Sequence, residues 1–159
     1  MGTQLVWFKR DLRVNDHRPL TEALRHGPTI AFYLFEPVYL AQPETTTSHL
    51  AFIRDCLLEL GDELHRLRVP FVIRHADIIS TLNQFKRDHT FSTLWSHEET
   101  GAAWSYERDR SVTQWCKSTG TAWREYSQFG IARPHPTRNG WAKRWGVQMN
   151  STELPVPKP

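Results

Sequence analysis

Lys9, Arg10, Asp11 and Arg13 follow directly on the apolar run Leu5 to Phe8, so three cations and one carboxylate crowd the end of a predicted strand. Two kinds of chemistry suit such a turn. The cations can hold an anion or the polar edge of a cofactor, because α/β sheets bind ligands at the carboxyl ends of their strands. Alternatively, Asp11 closes an ion pair with Arg13 or Arg10 that only fixes the turn. The second reading carries more weight, since such pairs are common and contribute little. Glu36 follows a second predicted strand, and the pair Glu98 and Glu99 follows a fourth. Carboxylates gathered at one sheet edge can accept hydrogen bonds from the N–H groups of a heterocycle, or can be solvated residues on the approach to a helix. Residue type leaves both open.

The remaining reactive residues are less pointed. His17, His26, His49, His65, His75, His89, His97 and His135 are scattered and read as solvated or hydrogen-bonded. His97 stands out because it follows the fourth strand at the ligand-binding edge. Neither GxGxxG nor GxxxxGK(S/T) occurs, so the phosphate-cradling turns of dinucleotide and P-loop folds are absent, and there is no HExxH. Trp104, Tyr106, Trp115, Trp123, Trp141 and Trp145 could serve stacking or electron transfer, but scattered aromatics are more often packing, as expected for Trp115 and Trp123. Trp141 and Trp145 lie four apart beside Lys143 and Arg144, a face suited to docking on a further domain. Arg133, Arg138, Lys143 and Arg144 form a loose basic patch, read as solvated surface.

These residues need a scaffold, and the chain supplies an alternating one. Leu5 to Phe8 and Ile30 to Phe35 are strand-like, the latter a continuous apolar run typical of a parallel sheet buried on both faces. Between them Asn15 or Asp16 is expected to cap a helix to about His26, with Pro19 in its first turn and Gly27-Pro28 at its end. Residues 38 to 47 read as loop. From Ser48, the positions Leu50, Ile53, Leu57, Leu60, Leu64 and Leu67 make one helical stripe, with charges on the opposite face. A third strand is expected from Val69 to Ile73, a helix capped by Asp77 to about Arg87, and a fourth strand from Phe91 to Trp95. A helix from Ala102 to Lys117 and a fifth strand from Ala122 to Tyr126 complete the alternation, which calls for a parallel sheet with helices on both faces. After Tyr126 the pattern stops: 127–140 reads as loop, Gly140 to Val147 as a short helix, and Leu154 to Pro159 as a Pro-rich linker leading toward further protein.

Composition bounds the class. A chain of 159 residues with 39% apolar and 23% charged residues fits one globular domain. No apolar run approaches the roughly 20 residues that span a bilayer, and charge at Lys9 precludes a signal-peptide core. Cys56 and Cys116 are too few and too far apart for a disulfide framework, so the cytoplasm is the expected compartment. The net charge of +3 permits contact with nucleic acid without arguing for it.

Taken together, these segments resemble the DNA photolyase and cryptochrome family. Val6-Trp-Phe-Lys-Arg-Asp-Leu-Arg13 is similar to its opening, Leu34-Phe35-Glu36-Pro37 to the end of its second strand, Ser48 to Leu67 to its long helix, and Arg108-Asp109 to a pair in its fourth helix. The resemblance implies a Rossmann-like five-stranded parallel α/β sheet of order 3-2-1-4-5. Residues 1–126 would be the amino-terminal antenna domain, and 127–159 an extension toward a helical FAD-binding domain. It implies a parent flavoprotein that repairs pyrimidine dimers in damaged DNA by light-driven electron transfer from FAD, or a cryptochrome that senses blue light through a signalling partner. An antenna chromophore of flavin, lumazine or deazaflavin type would meet Phe8, Lys9, Arg10, Phe35, Glu36 and Glu98. Trp104 and Ser105 stand where folate-binding members carry an Asn-Glu pair, which argues against folate. His17-Arg18 replaces the usual Asn-Pro, and Gly130 to Pro134 also departs from the best-known branches; Asp16-His17 and Gly140 to Trp145 look closer to the bacterial branch with an iron–sulfur cluster downstream and a lumazine antenna.

Overall fold

The structure is a computed structural model that describes residues 2–128 and 139–158. Five parallel strands, β1 (Thr3–Phe8), β2 (Thr29–Leu34), β3 (Phe71–Arg74), β4 (Phe91–His97) and β5 (Ala122–Tyr126), form one sheet in the order β3-β2-β1-β4-β5. The expected fold class and strand order are therefore borne out. Helices α1 (Arg18–His26), α3 (Thr47–Arg66), α4 (Ile78–Asp88) and α5 (Ala103–Thr119) fill the crossovers, with a short α2 (Pro37–Leu40) and a terminal α6 (Trp141–Met149).

Alternation along β1 builds two cores. Val6 and Phe8 face one side and pack with Ala31, Tyr33, Leu20 of α1 and Leu57, Leu60 and Leu64 of α3. Leu5 and Trp7 face the other side and pack with Phe32, Leu34, Ile78, Leu82 and Phe85 of α4, and Val112 and Trp115 of α5. Successive strand residues point to opposite faces, so a strand apolar at every position must be central and covered twice. Trp115 packs as expected, and its indole N–H donates to Asn83 Oδ1 at 2.8 Å. Across the sheet, the buried Trp95 Nε1 donates to Gln4 Oε1 at 2.9 Å.

Several boundaries differ from the sequence reading, each for a local reason. His17, not Asn15 or Asp16, caps α1: its Nδ1 accepts the Leu20 N–H at 3.1 Å. Asp16 is diverted into the left-handed region (φ 47°), where its carboxylate accepts the Leu154 N–H at 3.1 Å and its own N–H donates to Leu154 O at 2.9 Å. The segment read as loop begins with α2, because Pro37 is preset for a first helical turn. Thr46 caps α3 two residues ahead of Ser48. β3 starts at Phe71 because Val69 belongs to the turn closing α3, its N–H donating to Leu64 O past left-handed Arg68. β4 runs on to His97 through pairing with β5.

Trp141 and Trp145 stack with centroids 6.1 Å apart on an exposed face of α6. Of the basic patch, Arg133 and Arg138 lie outside the described residues, as does Gly130 to Pro134. Cys56 and Cys116 are both free thiols, and burial pushes the Cys116 thiol up to about 11. No helix among the described residues is long and apolar enough to cross a membrane.

Candidate functional site

β2 and β3 lie to one side of β1, and β4 and β5 to the other. The chain therefore reverses direction between β1 and β4, and the crevice at their carboxyl ends is where a doubly wound sheet receives a ligand. Lys9 to Asp11 leave β1 there, and His97 to Glu99 end β4 there.

Beneath the crevice lies an ionic cluster. Arg108 of α5 reaches Glu36 Oε2 at 2.8 Å, Glu99 Oε2 at 2.7 Å and Asp109 Oδ1 at 2.9 Å, with a side chain only 6% exposed. Its guanidinium also lies over the rings of Trp7, at 4.6 Å, and Trp104, at 5.2 Å. Lys9 Nζ bridges Asp109, at 3.5 Å, and Glu125, at 3.2 Å, over the Trp7 ring. Arg10 Nε meets Glu99 Oε1 at 3.2 Å, and its guanidinium lies 4.2 Å from the Tyr39 ring centroid. Three cations (Lys9, Arg10, Arg108) thus face four carboxylates (Glu36, Glu99, Asp109, Glu125). Burial pushes Glu36 and Glu125 up from the ordinary carboxylate value, against the pull of Arg108 and Lys9. Burial would lower Arg108, but Glu36, Asp109 and Glu99 outweigh it and hold the guanidinium firmly charged.

Asp11 does not pair with Arg13 or Arg10. Arg13 donates to the Asn15 and Asp16 carbonyls instead. Asp11 is buried, its Oδ1 accepts the Lys9 N–H at 2.9 Å, and its Oδ2 accepts from His17 Nε2 at 2.7 Å and His97 Nδ1 at 2.6 Å. Burial would push this carboxyl up, but the two imidazoles outweigh it and hold it well below the usual range. Burial lowers the His17 imidazole in turn, so the ring is neutral. Asp11, His17 and His97 are the one set of side chains among the described residues spaced to hold a metal ion. The tautomers speak for hydrogen bonding instead. His17 Nδ1 already accepts the Leu20 N–H, so the ring's proton is on Nε2, the nitrogen a metal would need.

Above the cluster opens a cavity of about 430 Å³, lined by Lys9, Arg10, Asp11, Tyr39, Glu44, Thr45, His49, His97, Glu98, Glu99, Thr100, Gly101, Ala102, Trp104 and Gln128. Its size falls within the range of small-molecule sites. Tyr39 and Trp104 offer flat surfaces 6.0 Å apart, centroid to centroid, and the first turn of α5 borders the mouth without a side-chain cap.

Of the residues named from the sequence, Lys9, Arg10 and Glu98 line this cavity. Phe8 and Glu36 border a narrow cleft beside it, with Phe8 packed in the core 4.5 Å from the His17 ring. Phe35 packs edge-on against Tyr33 at 5.2 Å. Sequence reasoning missed Tyr39, Thr45 and His49, which stand in or after the stretch read as loop. The rule that ligands gather after strand ends could have flagged Tyr39, three residues past Glu36. It also missed the convergence of His17 and His97 on Asp11, which no local pattern encodes.

Fold and site together define a doubly wound parallel α/β domain with a cavity at its switch point. The chain belongs to the DNA photolyase family, whose model matches residues 4–143. A deoxyribodipyrimidine photo-lyase of Halobacterium salinarum is 26% identical over 178 residues, covering 98% of this chain and 36% of that protein. Cryptochrome-1 of Arabidopsis thaliana is 50% identical over 98 residues, covering 60% of this chain and 14% of that protein. Among solved structures, a class III photolyase from Agrobacterium tumefaciens aligns with a TM-score of 0.82 at 19% identity, covering 100% of this chain and 36% of that one, a likeness of fold. The chain spans about a third or less of the length of these relatives.

Proposed function

We propose that this chain is the amino-terminal, antenna-binding domain of a photolyase-like flavoprotein, with residues 1–126 forming the domain and 127–159 leading toward a helical FAD-binding domain. The observation that carries this reading is the edge cavity: it lies at the switch point of a photolyase-family sheet, has the volume of a flavin-sized ring system, and mixes aromatic walls with Arg10 and Glu98. Trp104, where folate-binding members would carry a polar residue, makes one of the flat walls, which favours a flavin, lumazine or deazaflavin over folate. In the parent protein such a chromophore would pass excitation to FAD, and FAD would reduce a pyrimidine dimer flipped out of damaged DNA. The test titrates the chain with riboflavin, a ribityllumazine and a deazaflavin while following chromophore fluorescence. At least one should saturate, and Ala102→Trp at the cavity mouth should weaken it. Equal binding by wild type and Ala102→Trp would move the site elsewhere.

The 50% identity to Cryptochrome-1 over 60% of this chain favours a second reading, a blue-light receptor domain with a signalling partner. Incubating the full-length protein with dimer-containing DNA under blue light separates the two. Loss of dimers supports repair, and their persistence supports sensing.

A further inference from the structure

The Asp11, His17 and His97 group is buried, costly to assemble and unused by any contact so far assigned. His17 accounts for itself, since one nitrogen caps α1 and the other binds Asp11. His97 does not. Its Nδ1 donates to Asp11 Oδ2 at 2.6 Å, its side chain is 5% exposed, and Nε2 has no hydrogen-bond partner among the described residues. His97 nonetheless lines the edge cavity. A buried polar atom without a partner is expensive and calls for a ligand or water to complete it. Asp11 fixes both the tautomer and the orientation of this ring, as a carboxylate does for a histidine that must present one defined nitrogen. The nitrogen so presented carries a lone pair.

Arg10 completes the pattern from the neighbouring strand end. Its Nε is spent on Glu99, but its side chain is 44% exposed and lines the same cavity. An acceptor nitrogen on β4 and guanidinium donors on the β1 turn complement an N–H flanked by carbonyls. We propose that His97, oriented by Asp11, accepts the ring N–H of a heterocycle with an imide or lactam edge, while Arg10 donates to the adjoining carbonyl. The proposal rests on the chromophore reading of the cavity and adds the residue that selects among chromophores. Glu98 is the competing acceptor in the same lining.

Riboflavin and riboflavin methylated on its imide nitrogen, which exchange that donor for a methyl group, provide the test. Fluorescence titration of the wild-type chain should show riboflavin binding about tenfold or more tighter, the loss expected when a buried acceptor goes unpaired. With His97→Phe the preference should collapse toward unity, while Glu98→Gln should retain it. Equal affinity of the wild-type chain for both flavins overturns the proposal without any variant having to fold, and leaves the cavity reading intact. Collapse in Glu98→Gln but not in His97→Phe also overturns it, in favour of Glu98. No saturable binding of either flavin overturns both this proposal and a flavin in the cavity.

Discussion

Arg108→Met is the sharpest probe of the ionic cluster under the crevice. Methionine keeps an unbranched side chain but removes the guanidinium that lies over Trp7 and Trp104 and that is, among the described residues, the one cation shared by Glu36, Glu99 and Asp109. Their side chains are only 7%, 9% and 8% exposed, so water cannot take the guanidinium's place. Breaking a buried pair from one side leaves an uncompensated charge and costs about 3–5 kcal/mol. For a domain of this size that lowers the melting temperature by roughly 6–20 °C. The pH dependence follows from the carboxylates. Glu36 is already raised by burial with Arg108 present, and losing Arg108 raises it further. An acid raised in the folded state destabilises at pH above its folded value, and the penalty vanishes below its ordinary value of 4.5. The gap between wild type and Arg108→Met should therefore narrow as pH falls from about 8 toward about 5. Urea unfolding followed by tryptophan fluorescence at both pH values measures it. A gap under about 1 kcal/mol at the higher pH, the worth of an exposed pair, or a gap that does not narrow, would refute the account.

Two further outcomes follow from the same structure. His17 is held neutral below its ordinary 6.5, so stability present above that value should be lost as pH falls below it, by at most about 1.4 kcal/mol per pH unit. His17→Asn supplies an amide oxygen for the Leu20 N–H in place of Nδ1 and does not titrate. Urea midpoints between about pH 7 and about pH 5 should then vary less than in wild type. Gly120 ends α5 at φ 67° with open space where an alanine methyl would sit, so Gly120→Ala should lose about 1 kcal/mol from backbone strain alone, or roughly 2–4 °C in a thermal melt.

Much of the scaffold was legible in the chain because strand and helix patterns are local. The apolar runs Leu5 to Phe8 and Ile30 to Phe35 can satisfy every side chain only as strands covered on both faces, and the α3 stripe can bury only as a helix. Boundaries were misjudged where a distant partner intervened. Leu154 holds Asp16 away from the α1 cap, and β5 extends β4 to His97.

The sequence by itself determined the sheet, its helices and the strand ends at which charge gathers, because those depend on periodicity and residue type. Only the tertiary structure decided what the charges do. Asp11 lies beside Arg10 and near Arg13 in sequence, yet bonds to His17 and His97, the latter 86 residues away. Arg108 takes Glu36 from 72 residues away and holds it beneath the cavity. Which pairs form in a buried crevice is set by which strand ends the sheet order makes neighbours, and that order exists only once β1 lies between β2 and β4.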